Sequence, residues 1–168
     1  MARKYGVANV EDLPVDFGGL QLEESERQGN IVFDRFYGDL HALYLRQREL
    51  LRLSNLLSPL PALQNVSAAL AGTDGLHQIA FQQQAETHRR AMVTKLNTDL
   101  IEHGREAGWD YTADPSFWTT IEDFRFSPPA TRAVLRSIAI DSLILLAWLA
   151  AALFVLARSV RSLTVEES

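Results

Sequence analysis

The 168-residue chain carries 16 Lys and Arg against 21 Asp and Glu, a net charge of −5, with its basic residues scattered; that excludes the clustered cationic surface nucleic acid requires. It contains no cysteine, so neither a disulfide framework nor a thiolate metal site is open to it. The length admits one domain plus a membrane segment, and residues 1–133 alone hold 13 basic and 18 acidic residues, again −5, because the remainder carries three of each sign.

Residues 1–17, MARKYGVANVEDLPVDF, have two basic residues but no apolar run of the length a signal peptide needs. Read from Met1, the targeting element is then the apolar segment near the opposite end. Residues 1–22 read as irregular, because Pro14, Gly18 and Gly19 interrupt any helical period, and an extended segment laid on a helical surface is expected. A polar helical stretch starts at 23–27, with a break expected near Gly29 and Asn30. Over 31–57 the spacing of Val32, Phe36, Leu40, Leu43, Leu50 and Leu57 predicts a long amphipathic helix.

Ser58-Pro59 ends that helix and starts another, since serine is a preferred N-cap and proline fits the first helical position. Leu60, Leu63, Val66 and Leu70 give the new helix one apolar stripe, and Gly72 suits a left-handed terminus. Asp74 or Thr73 caps the next helix, which runs to about His103 with Phe81, Ala85, Met92, Leu96 and Leu100 on one face and stops at Gly104 or Gly108. Two long helices joined by a short one predict an antiparallel hairpin. Residues 109–129 concentrate aromatic side chains and prolines. Rings at headgroup level and rings closing the end of the hairpin are both open readings, and they are compatible.

Residues 137–157, SIAIDSLILLAWLAAALFVLA, form a run of 21 with Asp141 as its one formal charge. A helix needs about 20 mostly apolar residues to cross the hydrocarbon core. The uninterrupted run 142–157 is shorter, but Leu143, Ile144, Leu145, Leu146, Trp148 and Leu149 occupy every face, whereas a soluble helix in a small domain keeps one face polar. The segment is therefore read as a transmembrane helix. The fold class expected is mainly α: an amphipathic helical hairpin domain, 1–133, one C-terminal transmembrane helix, 134–158, and a short tail, 159–168.

Within the span Asp141 is the side chain of interest, because a carboxylate at a helix centre costs about 2.5–3.5 kcal/mol on insertion scales and marks a partner charge or pathway. Two readings stand: an interfacial position reaching headgroups or Arg136, one turn away, and a contact with another span. Ala147, Ala150 and Ala151, with Ala152, form a small-residue patch where a neighbouring helix could approach. Elsewhere no catalytic, cofactor-binding or metal-ligating arrangement stands out. There is no HExxH pair, nucleophile elbow, GxGxxG or P-loop. Asp74 beside His77 reads as a cap, and Glu86 with Arg89 or Arg90 as a helical ion pair. No enzymatic activity is expected of the chain itself.

Several features in succession carry a resemblance. Leu13-Pro14-Val15-Asp16 with Gly19, Gln47, Ser58-Pro59-Leu60, Ala71-Gly72-Thr73-Asp74, Phe81 with Ala85-Glu86 and Arg89, Leu96-Asn97, Phe117-Trp118, and residues 124–129 before a final span follow in order over nearly the whole chain. Together they resemble the C-terminal part of a group of bacterial ABC-2-type transporter permeases. The resemblance implies a large helical extracytoplasmic domain placed before the last membrane span, within an ATP-driven complex. It implies as partners the other permease spans or subunits, a separate ABC ATPase subunit and the lipid bilayer, at the inner (plasma) membrane. It supplies no catalytic or substrate residue, so Ser58, Asp74, Glu86 and Arg89 are expected only as structural caps and pairs.

This chain has one span where such a permease has about six, which makes it a fragment or a shortened relative. The resemblance would put residues 1–133 outside and Arg158, Arg161 and the tail in the cytoplasm. Arg132 and Arg136 at one end balance Arg158 and Arg161 at the other, so charge does not fix the direction. The alternative is a tail-anchored membrane protein whose cytoplasmic helical domain binds other proteins.

Overall fold

The computed structural model describes Gly6 and residues 14–166, of which 162–166 are described by backbone alone. Among the described residues there are four α-helices and no strand: α1 Phe17–Arg52, α2 Leu60–Leu70, α3 Gly75–His103 and α4 Thr131–Glu166, with short 3₁₀ turns at Leu53–Leu56, Gly108–Asp110 and Pro115–Thr120. The mainly α class expected from the periodicity is the class observed.

Helix α1 starts at Phe17, inside the stretch expected to be irregular. The Asp16 carboxylate caps it, accepting the Gly19 N–H at 2.5 Å, while the Asp16 N–H donates to the Ile101 carbonyl at 3.1 Å. Gly19 is there because α3 passes so close: a Cβ at this position would lie 2.7 Å from Ile101 Cγ1 and 3.2 Å from its Cα. The close approach thus explains a glycine that reads locally as a helix breaker. The expected break at Gly29 and Asn30 is also absent, and α1 runs unbroken for 36 residues. One glycine costs about 1 kcal/mol in a helix interior, which contacts along so long a helix can offset.

The junctions follow their local chemistry. Ser58 Oγ accepts the Leu60 N–H at 3.3 Å and the Pro59 carbonyl accepts the Leu63 N–H at 3.0 Å, opening α2. At its other end Gly72 has φ +72°, with Thr73 N–H bonded to the Ala68 carbonyl and Gly72 N–H to that of Ala69. These are the paired bonds of a Schellman ending, where glycine adopts the left-handed conformation without a Cβ penalty. Asp74 Oδ1 then accepts the His77 N–H at 3.1 Å and opens α3.

The chain divides into two compact units. One comprises Met1–Asp39 with Gln82–Phe126. In its described part, α1 and α3 run antiparallel, as the pairing of Asp16 with Ile101 and of Asn30 with Arg89 requires. Tyr111 donates to Asp99 at 2.8 Å, Lys95 donates to the Thr120 carbonyl at 2.6 Å, and the Phe124 ring sits 5.5 Å from that of His88. Part of the aromatic segment therefore closes this hairpin, while Trp109 and Trp118 stay exposed.

The second unit comprises Leu40–Phe81 with Ser127–Ser168. Here α2 packs along the first turns of α4 through Ala69, Val134 and Ile138, with Val66 and Leu76 at the margin. Ala62 is wholly buried. Small residues on α2 let the two helices approach closely. Thr131–Arg161 is long and apolar enough to cross a membrane. Leu143, Leu146, Leu149, Leu153, Phe154 and Leu156 are all more than half exposed, as single-pass insertion requires and an aqueous surface does not favour.

Candidate functional site

The polar centre of the second unit is built from the end of α1, the turn after it and the start of α4. Arg48 and Arg52 are four residues apart, as are Ser137 and Asp141, and residues at that spacing share a helix face. The Ser137 carbonyl accepts from Arg48 at 2.9 Å and from Arg52 at 3.0 Å. Asn55, carried by the 3₁₀ turn, donates from Nδ2 to Asp141 Oδ1 at 2.7 Å. Arg52 lies 3.7 Å from Asp141 Oδ2 as an ion pair and is also held by Glu49 at 2.9 Å. Two turns further along α4, Trp148 Nε1 donates to the Asn55 carbonyl at 3.1 Å.

Asp141 and Asn55 are both 0% exposed. Burying a carboxylate is expensive unless it is paired and hydrogen-bonded, and here one oxygen has the amide and the other the guanidinium's charge. The set is not saturated: Asp141 Oδ2, Asn55 Oδ1 and Arg52 Nε make no hydrogen bond. Its chemistry is therefore that of a clamp fixing one arrangement of the turn against α4. It contains no nucleophile beside a base.

The structure replaces Arg136 as the partner expected for Asp141. Five residues along a helix turn by about 500°, which leaves the two side chains roughly 140° apart, and Arg136 is exposed while Asp141 is buried. The reach to headgroups is likewise excluded by that burial. Ala147, Ala150 and Ala151 lie exposed on α4. Arg52 and Asn55 were not singled out by sequence reasoning. The available signal was the absence of any charged residue or histidine over 53–73, within which Asn55 stands among leucines.

A second polar cluster braces the first unit. Glu86 binds Arg89 at 2.8 Å and Arg90 at 2.7 Å; Arg89 reaches Asn30 at 2.9 Å and Glu26 at 3.3 Å, and Arg90 reaches Asp34 at 2.6 Å. The Arg90 guanidinium also stands 5.6 Å from the Phe33 ring centroid. The Arg89 hydrogen bond is the main cause holding the Glu86 carboxyl at about 2, with Arg90 adding to it and burial opposing. A depressed carboxyl pKa contributes stability that is present above the ordinary value of 4.5 and lost as pH falls towards about 2. Unfolding followed by circular dichroism is expected to show that acid loss, and Glu86→Gln is expected to flatten it. An unchanged acid limb in Glu86→Gln would remove this cluster from the account.

Asp74 Oδ1 also lies 2.5 Å from His77 Nδ1, and both side chains are largely buried. Among the described residues no group of three or more His, Cys, Asp or Glu is placed to hold a metal.

These observations define a mostly helical protein with, among the described residues, one helix long and apolar enough to cross a membrane and a buried polar clamp at the start of that helix. The chain belongs to the DUF3526 family, a domain of unknown function, whose model matches residues 1–127. The match takes in Arg52 and Asn55 and stops before α4 begins. No curated protein and no solved structure matches the chain.

Proposed function

We propose that this chain is a membrane-embedded permease component, or a piece of one, of an ATP-driven ABC-2-type transporter. It contributes a helical extracytoplasmic domain and the last span. The observation that carries the membrane part is α4, whose large apolar side chains stand exposed beyond the clamp. Such a surface needs lipid or other spans around it. The ordered succession of motifs from Leu13 to Pro129 supports the permease reading, and membership of the DUF3526 family is compatible with it. ATP binding and hydrolysis belong to a partner subunit, and the chain itself performs no catalysis.

Purification of the chain from native membranes in mild detergent tests this. A subunit with ABC nucleotide-binding motifs is expected in stoichiometric amount together with further spans, and its absence would contradict the transporter reading. Ala147, Ala150 and Ala151 are the proposed approach face for a neighbouring helix. Ala151→Leu is expected to reduce recovery of the partner spans several-fold while leaving insertion intact; full recovery would remove that face from the account.

A further inference from the structure

The arm between Arg52 and Asp74 has properties unlike the rest of the chain outside α4. Over residues 53–73 there is no Asp, Glu, Lys, Arg or His. Leu53, Leu56, Leu57, Leu60 and Leu63 are all more than half exposed, Leu57 by 85%. Leucines so placed would be an aggregation liability in water.

The arm's position along α4 is set by its contacts. Its far end is near the start of α4, because Ala69 packs with Val134 and Ile138. Its near end reaches deeper, because Asn55 bonds both Asp141 and Trp148. At about 1.5 Å per residue, Trp148 lies roughly 16 Å beyond Ser137. Even if the hydrocarbon began only at Ser142, Trp148 would lie about 9 Å inside it. Held between Asp141 and Trp148, the turn at Asn55 therefore lies between the edge of the hydrocarbon and the level of Trp148, and α2 leads back from it towards the start of α4.

Backbone at that depth must satisfy its own polar groups, and several of the turn's are satisfied within the unit. Leu57 and Ser58 N–H groups bond the Ser54 carbonyl at 3.0 and 3.1 Å, and the Asn55 carbonyl is taken by Trp148. Ser54 Oγ bonds the Leu51 carbonyl and Ser58 Oγ accepts from Leu60. The charged groups stand at the two ends, Arg48 and Arg52 on one side and Asp74 with His77 on the other.

We infer that residues 53–63 form a re-entrant element whose leucines contact lipid acyl chains in the same leaflet as the start of α4, held down by the Asn55–Asp141 and Trp148–Asn55 contacts. The inference rests on α4 spanning the bilayer and is independent of the transporter reading.

The lack of cysteine allows single nitroxide labels at Leu57→Cys and Leu60→Cys in the full chain reconstituted in phosphatidylcholine vesicles, with Leu146→Cys on α4 as reference. Collision with oxygen, which concentrates in lipid, is compared with collision with a water-soluble nickel chelate. All three labels are expected to collide several-fold more with oxygen than with nickel. Nickel exceeding oxygen at Leu57 and Leu60 but not at Leu146 would overturn the inference and leave the span intact. Low collision with both agents at Leu57, together with oxidative dimers of Leu57→Cys, would overturn it in favour of a second copy covering the leucines. A water-exposed label at Leu146 would remove the span, and this inference with it.

Discussion

Asp141→Leu is expected to keep α4 in the membrane but to loosen residues 53–70 from it. Removing the carboxylate deletes the acceptor of Asn55 Nδ2 and the charge 3.7 Å from Arg52. Removing one partner of a buried ion pair costs about 3–5 kcal/mol. The lower end applies here, because Arg52 keeps Glu49 at 2.9 Å and the Ser137 carbonyl at 3.0 Å. Insertion itself gains, since a carboxylate in a span is disfavoured by about 2.5–3.5 kcal/mol at the helix centre.

The double variant Arg52→Leu with Asp141→Leu is expected to recover much of the loss, because replacing a whole buried pair by apolar side chains is often neutral or better. Thermal unfolding of the full chain in detergent micelles measures both. A drop on the order of 10 °C is expected for the single variant and a smaller one for the double. Equal midpoints for wild type and Asp141→Leu would show that the clamp contributes nothing.

Gly19→Val is expected to destabilise the first unit by about 1–3 kcal/mol, the usual cost of overpacking. The new Cβ would stand 2.7 Å from Ile101 Cγ1 and 3.2 Å from the Ile101 backbone nitrogen and Cα, so the side chain cannot absorb the whole change by rotating away. Gly29→Ala is the matched control. It lies in the same helix with nothing within 4 Å of its would-be Cβ, and is expected to be neutral or stabilising by up to about 1 kcal/mol. Chemical denaturation of the two variants in parallel checks this, and a Gly19→Val variant as stable as Gly29→Ala would contradict the close approach.

What could be read from sequence depended on the range of the interaction responsible. The start of α2 is written in Ser58-Pro59, its end in Gly72 and the start of α3 in Asp74, because caps are satisfied within a few residues. The Glu86 pairs are three and four residues apart and equally local. The start of α1 at Phe17 was not legible, since Gly19, which argues against a helix there, is required by Ile101, far along the chain. The clamp was half legible. A lone carboxylate in an apolar run announces a partner, but that partner is Asn55, separated from Asp141 by 86 positions, and the nearer Arg136 was the only candidate local spacing could offer. Asp141 does lie seven residues before Trp148 and seven after Val134. That heptad spacing places all three on one stripe, a sign that this face meets protein.

The proposed extracytoplasmic location of the helical domain is tested by the side of the membrane on which its first unit is labelled. Gln83 is exposed in the first unit, and the chain has no native cysteine to compete with a Gln83→Cys label. Intact cells expressing this variant are treated with a membrane-impermeant maleimide, and a second sample is treated after lysis. With the domain outside, the intact cells are expected to label as fully as the lysate. Labelling confined to the lysed sample would contradict it and place the helical domain in the cytoplasm, as a tail-anchored protein requires.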